Sequence, residues 1–560
     1  MENSFFKQHK QLLGSAIEAL QTRGYYSAYP EIPSGKIYGE HAKKDGFAAF
    51  EGYKGNEFSL DQCTTGSFLG AEHSPYGFEL GVRYPEIDVD LLLQEVASAC
   101  PAWRKAPIET RVGCALEILH RLNQRSFEMA CAVMHTSGQG FMMAFQAGGP
   151  HAQDRGLEAV AYAYKAMLEC PQNATWKKQV GREEIVTLEK SYAIVPKGIG
   201  LVIGCSTFPT WNTYPGLFAS LVTGNAVVVK PHPGAILPLA ITVSICQDVL
   251  QEAGFDANLV TLAADTVEQP LTADLVKRQE IEIIDYTGGT AFGDWVEENA
   301  GNATVYTEKA GVNSVIIDSV EDMRAVSGNL AFSLCLYSGQ MCTTPQNIFI
   351  PKDGITTASG KISFDDVASS IVKSVDWMLS DQGRANEVLG AIQNEATATR
   401  VDTVGGEVLR EGSPIEHAMF EGARTRSVKI IKSDSSHIEE FQQEMFGPIV
   451  FLIATESTEE SISLASSIAK EQGAISCALY SSNEQTLEDG IDAMAQAGVP
   501  VSCNLVGSIW VNQSAAFSDF HVSGANPSGN ATLSDTAFVV GRFNVVQHRI
   551  FIPQPAKVEA

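Results

Sequence analysis

The pattern of apolar and polar positions divides the chain into a helical amino-terminal part and a longer part in which strands and helices alternate. Between residues 88 and 170 apolar side chains recur at helical spacing, and glycine clusters at 138–140 and 148–150 predict breaks between helices. After about residue 192, short apolar runs bounded by glycine alternate with helical segments. This order is typical of a doubly wound α/β domain built on a parallel sheet.

Continuous apolar runs between turn residues predict buried parallel strands in two successive units. In the first unit the predicted strands are Gly200–Gly204, Ala226–Lys230, Leu259–Ala263 and Ile281–Asp285, with a helix over Leu237–Ala253. A second α/β unit is predicted to begin near residue 308, with strands over Ser314–Ile317, Gln346–Ile350 and Ile449–Ile453.

Both ends of the chain depart from this alternation. A helix is predicted over residues 5–20, and residues 25–87, rich in Gly, Pro, Tyr and Ser, are predicted to be a loop-rich segment wrapped on the main body. Short β patterns are predicted at 174–195 and again within 528–550, including Ala537–Val540.

Charge and composition narrow the functional classes. The 560 residues carry 66 acidic against 39 basic side chains, a formal charge of −27, which disfavours nucleic acid as a partner. The sequence has no apolar run long enough to span a bilayer, and its start does not resemble a signal peptide, so no membrane partner and a cytoplasmic location are expected. The 11 cysteines are scattered without a Cys-x-x-Cys pair, which predicts a reducing compartment and no metal site.

The dinucleotide fingerprint Gly-x-Gly-x-x-Gly is absent where it would be expected. Gly198-Ile-Gly200 is followed by Gly204, one residue too late for the motif. Two other glycine turns flank predicted strands, at Gly224-Asn225 and over Thr287–Gly293, and ligands of open α/β sheets bind at such turns.

Seven motifs in one order resemble those of the aldehyde dehydrogenase family. They are Pro196–Gly198 with Ser206–Pro209, Gly224–Pro231, Thr287–Thr290 with Gly293, Glu308–Ser314, Gly339–Cys342, Glu444–Pro448 and Trp510–Asn512. The chain is most similar to the phenylacetic-acid-degradation subgroup, PaaN, through Met134–Gln139, Asp154–Gly156, Gly524–Asn530 and Phe538–Phe543.

The resemblance implies an α/β fold of the aldehyde dehydrogenase type. It implies a Rossmann-type cofactor domain (88–172 and 192–307), an α/β catalytic domain (308–527), a β arm for oligomerisation (173–191 and 528–550) and an amino-terminal extension (1–87). A homodimer or homotetramer is expected, since such an arm joins subunits.

Cys342 resembles the family's nucleophile and Glu308 its general base. A thiolate is the attacking form of cysteine, and the backbone N–H of Cys342 could stabilise the oxyanion that forms. A carboxylate in an apolar cleft is expected to have a raised pKa and to accept a proton from water. Hydrolytic members of the family carry glutamate here, whereas the branch that acylates coenzyme A lacks it, so a free carboxylic acid is the expected product.

The cofactor implied is NAD or NADP. Lys230 resembles the lysine that binds the adenosine ribose, and Glu444 the glutamate that holds the nicotinamide ribose, with Phe446 in the same motif. Gly288, Thr290 and Gly293 resemble the turn against the pyrophosphate and nicotinamide. Pro233 stands where many NAD-preferring members carry a glutamate, which leaves NADP open.

Thr207 stands where the family usually has an asparagine that completes the oxyanion hole. Its hydroxyl can donate one hydrogen bond with shorter reach, and Asn212 could substitute only if the loop is re-registered. Phe208 and Trp211 are candidates for lining a substrate funnel, and His135 and His151 for lying at its mouth. For these residues and for Cys205, packing in the core is the commoner role.

The expected reaction is therefore oxidation of an aldehyde through a hemithioacetal and a thioester on Cys342. The PaaN resemblance suggests a semialdehyde from aromatic-ring cleavage, which could still be attached to coenzyme A. Two alternatives stay open: a dehydrogenase that acylates coenzyme A, and a catalytically silent scaffold on the same fold.

Overall fold

Five parallel strands form the sheet of the first α/β unit in the computed structural model, which describes residues 4–70, 72–182 and 184–553. Their order in the sheet is Thr304–Lys309, Ile281–Gly288, Ile199–Ile203, Ala226–Lys230 and Val260–Leu262. From Ile199–Ile203 the chain first builds the strands toward one edge of the sheet and later returns to build the other edge. The strand order therefore reverses between Ile199–Ile203 and Ile281–Gly288, and doubly wound sheets bind ligands at such a switch point.

Helices cover both faces of this sheet and confirm the predicted alternation. The strands consist almost entirely of buried apolar residues, as expected for parallel strands covered on both faces. The helices of this unit are Pro209–Val222, Leu237–Glu252, Ala257–Leu259 (a 3-10 turn), Thr272–Lys277 and Thr290–Asn299.

A seven-stranded sheet forms the second α/β unit. Its order is Glu407–Arg410, Lys429–Asp434, Ile449–Thr455, Pro345–Pro351, Asn313–Ile317, Cys477–Tyr480 and Val501–Cys503, and all pairs are parallel except the first. The helices and 3-10 turns of this unit are Met323–Cys335, Leu336–Gly339, Phe364–Leu379, Gln382–Leu389, Glu395–Thr403, Ile438–Glu440, Thr458–Gln472 and Glu484–Gln496. A small sheet joins Ser319–Val320, Ile355–Thr357 and Gly360–Ile362.

The predicted β arm is a three-stranded antiparallel sheet, but its last strand begins later than the predicted segment. Asn173–Gln179, Ile185–Pro196 and Phe543–Ile552 pair in this sheet. The β pattern predicted over Ala537–Val540 is wrong, because Asp535 accepts a hydrogen bond from the backbone N–H of Phe538 and starts the helix Thr536–Val540. Residues 528–530 instead lie against strand Thr304–Lys309.

The amino-terminal helices pack on the first unit. They are Ser4–Thr22, Gly35–Tyr38, Ala42–Tyr53, Val89–Lys105, Ile108–Gln124, Ser126–Ser137, Phe141–Gln146 and Ala152–Leu168. The loop-rich prediction for 25–87 missed the helices Gly35–Tyr38 and Ala42–Tyr53. It also missed two short strand pairs, Phe68–Leu69 with Tyr84–Pro85 and His73–Ser74 with Phe78–Glu79. The break predicted at 148–150 is wrong: a π-helical turn, Ala147–His151, carries the helix through.

The predicted extension 1–87, of which residues 1–3 and 71 lie outside the described residues, is tied to the body by buried carboxylates. Asp154 accepts hydrogen bonds from the Ser27 hydroxyl at 2.6 Å and the Ala28 N–H at 2.9 Å. Glu72 accepts from the backbone N–H groups of Ile236 and Leu237 at the start of a helix. In the described part of the chain we find no helix long and apolar enough to cross a membrane.

The predicted boundary between residues 307 and 308 falls inside strand Thr304–Lys309. Glu308 therefore belongs to the five-stranded sheet of the first unit, although it was assigned to the second. The division into domains otherwise stays a prediction.

Candidate active site

Two cavities meet at Cys342, between the two α/β units. One has a volume of about 300 Å³ and is lined mainly by apolar side chains. The other, of about 480 Å³, lies at the carboxyl ends of the strands at the switch point of the five-stranded sheet. Cys342 lines both, so its sulfur lies where a molecule in one cavity would face a molecule in the other.

The backbone before Cys342 is held in an unusual conformation. Tyr337, Ser338 and Gly339 have φ angles of 54°, 48° and 63°, which is the left-handed region. At Gly339 an added Cβ would lie 2.5 Å from the carbonyl oxygen of Gly447, so only glycine fits. Buried hydrogen bonds hold this turn: the Tyr337 hydroxyl donates to the Ser137 carbonyl, and the Ser338 hydroxyl donates to the Leu389 carbonyl at 3.1 Å.

Glu308 lies on the edge strand of the first sheet and reaches the same point. A carboxylate oxygen of Glu308, Sγ of Cys342 and a ring nitrogen of His521 all lie within 4.8 Å of one another. Glu308 is 2% exposed, and its strand is covered by the segment that includes Gly529 and Asn530. Residues 34 positions apart in sequence, Glu308 and Cys342, are thus brought together, as expected.

The expected raised pKa of Glu308 is wrong. Burial of the carboxyl raises its pKa, but the nearby imidazole of His521 and hydrogen bonds to the carboxyl lower it. His521 Nε2 lies 2.8 Å from Oε1, and the amide Nδ2 of Asn212 donates to Oε2 at 2.7 Å. The pKa of Glu308 therefore lies below its ordinary value, and the carboxylate form is favoured.

The thiol of Cys342 has the opposite shift. Burial raises its pKa well above the ordinary value, and the nearby carboxylate of Glu308 raises it further. The Sγ atom is 3.6 Å from Nε2 of His521. Sequence reasoning missed His521, which lies outside the seven motifs and is separated from Cys342 by 179 positions.

Thr207 and Asn212 make different contacts in the site. Both line the cavity that contains Glu308, but the Thr207 hydroxyl contacts Cys205 Sγ at 3.8 Å rather than the catalytic pair. Asn212 is in the first turn of helix Pro209–Val222 and reaches Glu308 without any change of loop register. Cys205, half-buried, also contacts Asn212 Oδ1 at 3.5 Å.

The larger cavity contains most of the predicted cofactor residues. Lys230, Pro233, Gly288, Glu444 and Phe446 all line it. The ammonium of Lys230 is 2.7 Å from Oδ1 of Asp265, and both side chains are buried. Burial raises the pKa of Glu444 to about 7, although the nearby guanidinium of Arg400 lowers it.

Thr290 and Gly293 do not line this cavity, although the turn before them does. Thr290 opens the helix Thr290–Asn299, and its hydroxyl donates to the Ala310 carbonyl at 3.4 Å. Gly293 permits close packing, since an added Cβ would lie 2.6 Å from Cγ of Lys309. Gly288 and Gly289 line the cavity just before the helix N-terminus, where backbone N–H groups favour anions.

The smaller cavity is a funnel of aromatic and thioether side chains that leads to Cys342. Phe208, Trp211, Phe332 and Trp510 line it, and the last two rings are stacked with centroids 4.3 Å apart. Of the candidate histidines, His151 lines the funnel and lies 2.8 Å from a carboxylate oxygen of Glu31 in the amino-terminal extension.

His135, the other candidate histidine, is a packing residue. Its ring stacks on Phe50 at 4.9 Å and meets the edges of Tyr76, Phe78 and Phe420. Burial lowers its pKa to about 4, so the imidazole is neutral.

A nucleotide-type cavity and an apolar funnel that meet at one cysteine, on a doubly wound α/β fold, define an aldehyde-oxidising dehydrogenase. The chain belongs to the aldehyde dehydrogenase family, whose model matches residues 83–537. It is an oxidoreductase that oxidises aldehydes with NAD or NADP as cofactor.

Relatives differ in the aldehyde for which they are named. A solved structure titled NAD-dependent aldehyde dehydrogenase from Burkholderia multivorans is 51% identical, with a TM-score of 0.98 over 99% of this chain and 100% of that one. The N-succinylglutamate 5-semialdehyde dehydrogenase of Burkholderia multivorans is 24% identical over 70% of this chain and 76% of its own. The NAD(+) benzaldehyde dehydrogenase of Pseudomonas putida is 22% identical over 68% and 73%.

Proposed function

We propose that this protein oxidises an apolar or aromatic aldehyde to the free carboxylic acid, with Cys342 as nucleophile and Glu308 as general base. The observation that carries the proposal is the meeting of Sγ and the Glu308 carboxylate at the junction of the two cavities. A scaffold without activity would have no need of a buried thiol and carboxylate at the end of an open funnel.

The larger cavity fits a dinucleotide. An added Cβ at Gly288 would lie 2.4 Å from the Tyr286 hydroxyl, so a larger residue there would require the Tyr286 ring to move. Glu444 lines the cavity and accepts a hydrogen bond from the backbone of Gly311, and its carboxyl would also accept from ribose hydroxyls. Lys230 would contact the adenosine ribose, and Gly288 and Gly289 would face the pyrophosphate. When bound, the nicotinamide accepts the hydride that leaves the aldehyde carbon.

The residues of this chain would act in two steps. Sγ of Cys342 adds to the carbonyl carbon, and the backbone N–H of Cys342 with the amide of Asn212 stabilises the oxyanion. After loss of the hydride the substrate is a thioester on Cys342. The Glu308 carboxylate then takes a proton from a water molecule, whose oxygen attacks the thioester and releases the acid.

The funnel favours an uncharged and largely apolar substrate. Its lining includes aromatic, methionine and leucine side chains, and the ionisable groups in it besides Cys342 are Glu387, His151 and His521. Since its lining contains neither lysine nor arginine, a coenzyme A moiety would keep its phosphates outside the funnel. A semialdehyde from aromatic-ring cleavage of the PaaN type fits this character as its coenzyme A thioester, because its carboxyl group is then uncharged and its acyl chain would lie in the funnel.

NAD is the proposed physiological cofactor, because the positive charge of Lys230, the lysine at the ribose position, is balanced by the carboxylate of Asp265. Asp265 is 2.7 Å from Lys230, and its carboxylate would repel a 2′-phosphate. The proposed location is the cytoplasm. The proposed assembly is a homodimer or homotetramer joined by the β arm. The exposed apolar side chains of arm strand Phe543–Ile552 support such an assembly: Val545, Val546, Ile550, Phe551 and Ile552.

Product analysis separates the hydrolytic reaction from coenzyme A acylation. Purified protein is supplied with NAD and phenylacetaldehyde or benzaldehyde, with and without coenzyme A, and products are identified by mass spectrometry. We expect the free acid at the same rate in both cases. Formation of acyl-coenzyme A alone would support the acylating alternative, and absence of NAD reduction with a broad aldehyde panel would contradict the proposal.

A further inference from the structure

His521 occupies the centre of the catalytic cluster, yet no motif pointed to it. A single atom, Nε2, lies 2.8 Å from Oε1 of Glu308 and 3.6 Å from Sγ of Cys342. The side chain is 3% exposed, and it lines the substrate funnel beside Cys342. It is thus in contact with both groups that the reaction requires.

The loop that holds His521 is built to fix this position. The imidazole lies edge-on to Trp211 with ring centroids 4.7 Å apart, and its backbone carbonyl accepts from Leu533 N–H at 3.0 Å. The next residue, Val522, has φ of 62°, a conformation that a β-branched residue rarely adopts. Such strain persists where the surrounding structure requires one placement of the chain.

The charges around Cys342 make a thiolate unfavourable without a cation. The groups that raise the pKa of the thiol, after burial, are Glu308, Cys205 and Glu444. The two carboxylates oppose a negative sulfur, whereas the Cys205 thiol stays protonated because burial raises its pKa to about 11. The three groups come from the edge strand, the loop after Ile199–Ile203 and the loop before Ile449–Thr455. Among the described residues that contact Sγ, His521 is the one whose side chain can carry a positive charge.

We propose that His521 is a catalytic residue that accepts the thiol proton of Cys342 and holds it against Glu308. Before the transfer the neutral imidazole has its proton on Nδ1, so that Nε2 can accept. The S–H bond breaks, Sγ keeps the electron pair, and the proton moves to Nε2, which then donates it in a hydrogen bond to Oε1. The imidazolium then faces both the thiolate and the carboxylate, as in other cysteine–histidine pairs. Once the thioester has formed, that proton passes to solvent, and the carboxylate is free to take a proton from the attacking water. This proposal rests on the proposed role of Cys342.

The test measures the reactivity of Cys342 as a function of pH. Wild type, His521→Gln and the control His437→Gln, whose histidine is exposed and distant from the site, are treated with iodoacetamide in the presence of NAD. Peptide mass spectrometry gives the alkylation rate at Cys342 between pH 6 and 9. We expect His521→Gln to react at least ~10-fold more slowly than wild type near pH 7, with the difference shrinking as pH rises, and His437→Gln to match wild type.

The outcomes separate this proposal from the assignment of the nucleophile. Equal alkylation rates and pH profiles for wild type and His521→Gln would overturn the role of His521 alone. Unmodified Cys342 in wild type, together with full turnover of Cys342→Ala, would overturn the nucleophile itself.

A second variant, His521→Asn, covers the case in which His521→Gln does not fold. The ultraviolet thiolate absorbance of Cys342 should appear at a lower pH in wild type than in His521→Asn, because the variant has no group that takes the thiol proton. Coincident titration curves for the two proteins would contradict the role of His521.

Discussion

Asn212 Nδ2 donates a 2.7 Å hydrogen bond to Oε2 of Glu308, in a buried part of the site. The relationship couples the first turn of helix Pro209–Val222 to the edge strand that carries the base. The amide thus stabilises the carboxylate form of Glu308, and it stays in reach of the cavity where the oxyanion would form. The role of Thr207 in the oxyanion hole stays a prediction, and its comparison with Asn212 is a test by substitution.

Asn212→Ala should lower kcat more than Thr207→Val does. Removal of the amide deletes a hydrogen bond to a buried carboxylate, a loss of about 1.5–3 kcal/mol or about 10- to 100-fold in rate, whereas the Thr207 hydroxyl contacts Cys205. Steady-state kinetics of both variants with one aldehyde measures the difference. A larger loss for Thr207→Val would restore the assignment made from the sequence.

Asp265→Asn should shift cofactor preference toward NADP. The substitution keeps the shape of the side chain but removes the carboxylate 2.7 Å from Lys230, so the ammonium becomes available to a 2′-phosphate. We expect kcat/KM for NADP relative to NAD to rise by about 10-fold, equivalent to about 1.4 kcal/mol. Asp274→Asn, which removes an exposed carboxylate paired with Arg278, is the control and should leave the ratio unchanged.

Arg542→Met should destabilise the fold strongly. The guanidinium is fully buried and binds both carboxylate oxygens of Asp285, at 2.5 and 2.7 Å, so its removal leaves an unpaired buried charge that costs about 3–5 kcal/mol. Urea denaturation followed by fluorescence measures the change. Arg83→Met breaks an exposed pair with Glu57 and should cost less than about 1 kcal/mol. Similar effects of the two substitutions would contradict this interpretation.

The pH dependence of stability should change in Asp154→Asn. Burial raises the pKa of Asp154 from 3.8 to about 7, although hydrogen bonds from Ser27 and Ala28 lower it. Because the folded-state pKa is raised, this group contributes stability fully below about pH 4 and loses it as pH rises through about 7.

Thermal denaturation between pH 4 and 8 tests this linkage. The wild type should lose more stability than Asp154→Asn over this range, by at most about 4 kcal/mol. The exposed control Asp353→Asn should follow the wild type. Parallel profiles for wild type and Asp154→Asn would show that the carboxyl titrates normally.

The parallel strands could be predicted because each is a buried apolar run that ends near glycine. Ala226–Lys230 was predicted with the bounds that the structure shows. The errors arose where a local feature outweighs the apolar pattern. Asp535 caps a helix in a segment that looked like a strand, and Ala42–Tyr53 is helical despite Gly46, whose missing Cβ allows contact with Phe127.

Site residues that lie within a short family motif could be predicted from the sequence. Site residues brought in by distant segments of the chain could not. Cys342 and Glu308 lie together as the family motifs implied. The contacts of His521 and the 2.7 Å bond from Asn212 depend on how a carboxyl-terminal loop and a helix N-terminus fold over the edge strand. Periodicity and spacing contain no information on that arrangement, and the lowered pKa of Glu308 follows from it.

Cys342 forms the covalent bond to the substrate and Glu308 activates the water that releases the acid. A single turnover of Glu308→Gln tests these two roles most directly. The variant protein, NAD and one equivalent of aldehyde are mixed, quenched and analysed by peptide mass spectrometry. Because hydride transfer needs the thiol but not the base, we expect NAD reduction in a burst and an acyl adduct on the peptide with Cys342. An unmodified Cys342 together with unimpaired steady turnover would contradict both the nucleophile and the base assignment.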